Sequence, residues 1–366
     1  MAIYIDSDDK MEDLVLGSGF LGGGGGGDLR LGLELGRSII RLGIVEIRSI
    51  DDVDKDSIVV TTSAVGPQSA DSWKRSSLAA NLAKAVKVMV ETLNKDIEGL
   101  ISSEIGAINT LSPFPASLFL DIPVIDAPCN GRAHPTVLMG SMGLHRILGY
   151  ITTLTAIWGD AGGGIKGRAV LKGSLGDVIN TLRAIVQLKG SVATARNPIN
   201  AGYIKTNAAP GSISLAMEIG SILRDHRSTP REASHNIARK LSGKVIEGCA
   251  VLDNSLEVRE GLDVGRAEIA CNNRKYVLTY ANEYMYLESG GEIVSTFPDL
   301  VSLIDLSNGL PLLSKDLVKG SRFDIVIISW RNLKLGSGVK YPEAYEQVMK
   351  ALGTDIRMYI KDLLVV

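Results

Sequence analysis

The first stretch with the means to do chemistry is a polar run in an apolar setting, SSEIGAINTLSPFPASLFLDIPVIDAPCNGRAHP, residues 102–135. Glu104 and Asn109 flank a glycine-containing turn, Asp126 ends a β-rich segment, and Arg132 and His134 follow it. A carboxylate with a histidine can activate water, and an arginine or backbone amides can hold the oxyanion that forms. The same residues admit plainer roles. A buried strand-end carboxylate commonly has an arginine partner, which would make Asp126–Arg132 a structural pair. His134 fits a general base, a metal ligand or a structural histidine. Cys129 is a thiolate nucleophile only if Arg132 or His134 lowers its pKa, and is otherwise a small buried residue.

The second stretch is LVLGSGFLGGGGGGDLRLG, residues 14–32. Gly17, Gly19 and Gly22 match the GxGxxG fingerprint of dinucleotide folds, which needs a strand entering and a helix leaving at the last glycine. Here an unbroken run continues from Gly22 to Gly27, and glycine in a helix interior costs about 1 kcal/mol against alanine, so the helix is expected to start only at Asp28. Asp8 or Asp9 is placed to cap a helix over Lys10–Leu16, so the segment is entered from a helix. No Lys-Ser or Lys-Thr closes a Walker loop either, and no nucleotide is expected. A flexible linker is the plain alternative. We favour a loop in which the amides of Gly22, Gly23, Gly24, Gly25, Gly26 and Gly27 line a ligand site, ending at Asp28 on a helix N-terminus.

The elements that must position these groups follow from periodicity. Ile44–Ile50 and Ser57–Ser63 read as strands, Trp73–Ile97 as an amphipathic helix striped by Leu78, Leu82, Val86, Met89, Leu93 and Ile97, and 122–127 as a strand. Ser112 is placed to cap a short helix between them. This rhythm predicts an α/β fold with a mostly parallel sheet covered by helices, ligands sitting at the carboxyl ends of its strands. A boundary is expected in the glycine-rich Trp158–Gly167, giving an α/β domain over 1–165 and a C-terminal domain over 166–366. The latter divides into a helical part (170–242, with Thr229 and Glu232 as a capping box), a β-rich module (243–335) and a closing helix (341–352). Asn282 and Glu283 end a strand of that module and are placed to reach a cleft between domains.

Composition narrows the classes. A net charge of −2 and no lysine- or arginine-rich block give no electrostatic case for nucleic acid. Apolar segments are broken well short of the ~20 residues that span a bilayer, so no membrane role is expected. Three widely spaced cysteines and an acidic N-terminus predict reduced thiols in a cytoplasmic protein. His145, His226 and His235 read as surface or structural. The expected partner is a small-molecule substrate, in a homo-oligomer.

Taken together and in order, LGSGFLGGGGGGD, SSEIGAINTLSPFPAS, PVIDAPCNGRAHP, YANEYMYL and FPDLVSLIDLSNGLPL resemble the S-methyl-thiohydantoin desulfurase-like family. The resemblance implies two domains and hydrolytic attack on a thiohydantoin-type ring, releasing sulfur and leaving a hydantoin. It implies site positions at Gly22–Gly27, Asp28, Glu104, Asn109, Asp126, Gly131, Arg132, Asn282, Glu283 and Asp299. Three departures stand out: Thr136 where the family has glutamate, Leu29 where it has proline, and no acidic residue near the end of residues 68–75. They leave a second reading, a diverged binding or accessory subunit that partners a hydantoinase-type enzyme. A divalent metal such as zinc fits such chemistry, but the sequence assigns it no ligands.

Overall fold

The computed structural model describes residues 2–66, 75–159 and 167–365. Two eight-stranded sheets carry the fold. The first is built from β1 (Ile3–Ile5), β2 (Val45–Arg48), β3 (Ile58–Val65), β4 (Gly99–Ser102), β5 (Val124–Ile125), β6 (Thr152–Trp158), β7 (Gly167–Gly173) and β8 (Val192–Asn200). Their spatial order is β1-β2-β5-β4-β3-β8-β6-β7. Only β2, β5, β4 and β3 pair in parallel; β1 and the trio β8, β6, β7 are antiparallel. The expectation of a mostly parallel sheet is therefore corrected to a mixed one. The reason is local: β6 and β7 pair antiparallel to each other, and β8 docks antiparallel on the edge that β3 leaves open. β7 and β8 also fall within the 170–242 segment expected to be helical, which is helical only in part.

The second sheet is wholly antiparallel and comes from the expected β-rich module. It comprises β9 (Lys244–Arg259), β10 (Leu262–Cys271), β11 (Arg274–Ala281), β12 (Glu283–Ser289), β13 (Glu292–Thr296), β14 (Leu300–Asp305), β15 (Pro311–Leu312) and β16 (Arg322–Ile328). Cys249 and Cys271, expected as reduced thiols, face each other across β9 and β10 and are joined as a disulfide; Cys129 is free and buried.

The helices are α1 (Asp8–Leu21), α2 (Leu29–Ile40), α3 (Arg75–Leu93), α4 (Phe114–Leu120), α5 (Leu175–Lys189), α6 (Ala201–Asn207), α7 (Ser212–Asp225), α8 (Pro230–Lys240) and α9 (Glu346–Leu352). Ser7, not an aspartate, caps α1 by accepting from the Lys10 N–H, with Asp8 and Asp9 in the first turn where the helix dipole favours anions. Gly17 and Gly19 of the GxGxxG match lie inside this helix, and Gly22 is its C-cap. Gly17 is there for packing: a Cβ would sit 1.7 Å from the Ala216 carbonyl oxygen of α7, so the two backbones touch. Arg224 of α7 pairs with Asp13 of α1 at 2.7 Å beside this crossing. One core joins α1, α2, α7 and α8 to β14 and β16, and so ties the two sheets together.

Two expected caps are not formed. Ser112 bonds Thr62, and α4 has no side-chain cap; Thr229 precedes α8, but its hydroxyl meets His226 Nδ1 at 3.2 Å. The closing helix is shorter than expected, a 3-10 turn over Pro342–Tyr345 followed by α9. The segments 67–74 and 160–166, which include the departure after Pro67 and most of the expected boundary, lie outside the described residues. Among the described residues no helix is long and apolar enough to cross a membrane.

Candidate active site

The glycine run links α1 to α2 and is pinned by both sheets. Gly23 O accepts from the Tyr284 N–H at 2.7 Å, Gly24 O from the Ser314 N–H at 3.0 Å, and Gly26 O from the Ile108 N–H at 3.1 Å. Glycine is required at two positions above all. A Cβ on Gly25 would lie 2.0 Å from Glu283 Oε1. One on Gly26, whose φ is +77°, would lie 2.4 Å from the Gly106 Cα. The expectation that the loop amides line a ligand site changes in part. Gly22, Gly23 and Gly25 donate to Ser18, Phe20 and Gly22 carbonyls, and the Gly26 N–H goes to Glu283. The loop is a packed partition between the two sheets, with the buried acid–base groups gathered around it. Asp28 caps α2 through the Leu31 N–H at 2.7 Å and pairs with Lys315 at 2.8 Å. Burial pushes the Asp28 carboxyl up, but these two partners hold it below its ordinary range.

One group of these residues is Glu104, Asn109 and His134. Glu104 follows the carboxyl end of β4 and is buried. Its Oε1 accepts from Asn109 Nδ2 at 2.6 Å, and its Oε2 accepts from the His134 N–H at 3.0 Å and lies 3.4 Å from His134 Nε2. Asn109 is fixed in turn, its Oδ1 accepting from the Ala64 N–H at 2.9 Å. His134 Nε2 also faces the Ser103 carbonyl oxygen at 3.2 Å. In the neutral imidazole, two acceptor oxygens around Nε2 favour the proton on that nitrogen, which leaves Nδ1 with its lone pair. Nδ1 is buried and has no partner among the described residues.

Arg132 and Glu283 lie against the loop glycines, both buried. Arg132 stacks its guanidinium 4.6 Å from the Phe297 ring centroid and gives Nη1 to the Pro298 and Asp299 carbonyls, while Nη2 has no partner among the described residues. Burial pulls its pKa down to about 10, against the Glu283 and Asp299 charges that oppose the fall. Glu283 Oε2 is likewise unpartnered. Burial, followed by the Glu104 charge, pushes the Glu283 carboxyl well above its ordinary range, which favours the neutral acid. Asp299 is raised by burial and accepts from the Trp330 N–H at 2.7 Å.

The remaining expected positions are structural in their contacts. Asp126 does not meet Arg132. Its Oδ1 accepts from the Ile213 N–H at 2.7 Å and its Oδ2 from the Ser214 N–H at 3.1 Å and hydroxyl at 2.5 Å. Those are orphan donors of the first turn of α7, so the carboxylate serves as a remote cap. Gly131 lets the chain pass the Lys334 carbonyl, which a Cβ would approach to 2.0 Å. Asn282, at φ +61°, bonds both ways with Asp263 and shapes the turn that delivers Glu283. Burial lifts the Cys129 thiol to about 11, which removes it as a thiolate nucleophile. Thr136 donates to the Ala344 carbonyl at 3.1 Å, so the departure from glutamate is filled by a structural bond.

Sequence reasoning missed Tyr284, which holds the loop through its backbone N–H, and Ser314, which holds the Gly24 carbonyl through both its N–H and its hydroxyl. It also missed Arg196 of β8, whose signal is an arginine alone in the apolar run Val192–Arg196. No group of three or more His, Cys, Asp or Glu side chains is gathered for a metal among the described residues, so the residues present offer no preassembled ligand set. A cavity of about 610 Å³ lies elsewhere, lined by Glu247, Cys271, Asn272 and Arg274 among others.

A mixed and an antiparallel sheet, joined over a glycine partition flanked by a His–Glu pair, a second acid and an arginine, define a two-sheet α/β protein with a buried acid–base cluster. Family models for the S-Me-THD-like N-terminal and C-terminal domains match residues 9–163 and 178–336. The chain belongs to this S-methyl-thiohydantoin desulfurase-like family. It is similar in fold to a protein from Chromobacterium violaceum known from an X-ray crystal structure, with 18% identity, a TM-score of 0.70, and 97% of this chain and 98% of that one covered. No curated protein matches the chain.

Proposed function

We propose that the chain hydrolyses thiohydantoin-type rings, water displacing sulfur to leave a hydantoin. The observation that carries the reading is the free Nδ1 of His134, whose tautomer is set by Glu104 and Ser103. A histidine oriented by a carboxylate and left with an open lone pair is the arrangement of a general base. The family's name points to the substrate class.

In this reading His134 Nδ1 takes a proton from water as the water oxygen bonds to the ring carbon bearing sulfur. Glu104, positioned by Asn109, stabilises the imidazolium. The open Nη2 of Arg132 meets the negative charge that gathers on the ring. The C–S bond then breaks, the electron pair leaving with sulfur, and Glu283 as the neutral acid protonates it to a thiol. The second water proton ends on the ring nitrogen, and the His134 proton restores Glu283. Burial strengthens each of these charge effects by excluding water.

The test is incubation with S-methyl-thiohydantoin, following thiol release colorimetrically and hydantoin by mass spectrometry, alongside metal analysis. Thiol and hydantoin in equal amounts are expected. No release from protein supplied with divalent metals overturns the reading and leaves the accessory subunit of a hydantoinase-type system, to be sought by co-purification.

A further inference from the structure

The His134 ring rests on bare backbone. Gly140, in the 3-10 turn Met139–Ser141, lies against its Nε2–Cε1 edge: a Cβ there would sit 2.6 Å from Nε2 and 2.7 Å from Cε1. The position of this turn therefore decides where the imidazole lies. Were the turn to move away, the ring could rotate off Glu104 and Ser103, the two acceptors that favour its proton on Nε2.

The turn is stapled on both sides to one short segment, the 3-10 turn Pro342–Tyr345. Ahead of it, Thr136 donates to the Ala344 carbonyl at 3.1 Å and accepts from the Met139 N–H at 3.3 Å. Behind it, Ser141 Oγ meets His145 Nδ1 at 3.1 Å, and His145 Nε2 meets Glu343 Oε1 at 2.8 Å. A carboxylate only accepts, so Nε2 donates, and in the neutral imidazole Nδ1 accepts from the Ser141 hydroxyl. Hydrogen bonds from Arg146 above all hold the Glu343 carboxyl down to about 2, so it stays an acceptor at neutral pH. Serine, histidine and carboxylate follow the order of a hydrolytic triad. Here, however, Arg146 takes both Glu343 oxygens and neutralises the charge that a triad acid would lend its histidine.

We infer that His145 is a positioning residue: with Ser141, Glu343 and Thr136 it braces the turn on which His134 sits, and so sets the tautomer of the base without touching substrate. The proposal deepens the ring-hydrolase reading and rests on it. It also gives Thr136, the departure from glutamate, a task as the second staple.

The experiment joins kinetics of thiol release to nitrogen-15 NMR of the histidine rings in the intact chain, with His134→Gln identifying the His134 signals. In His145→Ala, kcat is expected to fall about 10- to 100-fold with KM unchanged, the scale of a slightly misplaced catalytic group. The His134 nitrogens are expected to move from the Nε2–H pattern toward a mixture of tautomers. His145→Gln, whose amide can accept from Ser141 and donate to Glu343, is expected to recover most of both losses. Wild-type kcat in a folded His145→Ala overturns the proposal. So does a fall in kcat with the His134 signals unmoved, or an equal loss in His145→Gln. Should His145→Ala fail to fold, Thr136→Val removes the other staple and Thr136→Ser keeps it, and the same outcomes decide. If the wild type turns nothing over, the ring reading fails by itself and the NMR decides the brace. His134 signals that shift in His145→Ala and return in His145→Gln uphold it; unmoved signals overturn it.

Discussion

Asp126 and Glu104 invite comparison. Both are buried carboxylates just beyond the carboxyl ends of neighbouring parallel strands, and both bond to backbone N–H groups. Asp126 spends both oxygens on the first turn of α7 and leaves that helix end satisfied. Glu104 instead turns a histidine whose second nitrogen has no partner among the described residues, and it acts on an arginine and a glutamate that likewise each keep an open polar atom. Native proteins pair nearly all buried polar groups, so the satisfied carboxylate reads as architecture and the unsatisfied atoms mark the candidate site.

That contrast can be broken most sharply at His134. His134→Gln keeps a buried polar side chain but no titrating base, and kcat for thiol release should fall by about 10²- to 10⁴-fold with an unchanged melting temperature. A variant with wild-type kcat would return His134 to a structural role. Gly26→Ala comes next. It places a Cβ against the Gly106 backbone at a positive φ, and should cost about 3 kcal/mol or more in denaturant unfolding. Only slight destabilisation would show that the partition is looser than its packing indicates.

Asp126→Asn should lower stability by about 1–3 kcal/mol through the lost cap and unpaired donors, with kcat nearly unchanged. Loss of turnover in a folded Asp126→Asn would put this carboxylate back in the chemistry. The smallest effect concerns pH. The Glu283 carboxyl titrates higher in the folded chain than its ordinary value of 4.5, so the stability it allows is complete below that value and declines as pH rises through the folded-state pKa. Glu283→Gln should flatten this decline in melting temperatures taken over roughly pH 4 to 9. An unchanged slope would mean that Glu283 already ionises freely.

Much of the frame was legible in the chain. The stripe from Leu78 to Met89 forecast α3, Asp28 forecast the start of α2, and the strands after residue 243 emerged as a sheet, because periodicity and caps are local properties. Glu104, Asn109, Arg132, His134 and Glu283 were singled out by residue type and by resemblance. Their grouping was not legible, since β4, the turn after β5 and the start of β12 meet only in three dimensions.

The sequence by itself determined that a run of six glycines cannot be a helix, that two polar stretches interrupt an apolar chain, and which family the chain resembles. Tertiary structure decided the rest. It made the first glycines a helix contact, since Gly17 lets α1 touch α7, and made the later ones a partition, since Glu283 and Gly106 press where side chains would be. It gave Asp126 to a helix end and Glu104 to a histidine, because which orphan N–H groups lie nearby depends on chain packing. Hydrogen-bond satisfaction is a property of neighbours, and neighbours are not written in sequence order.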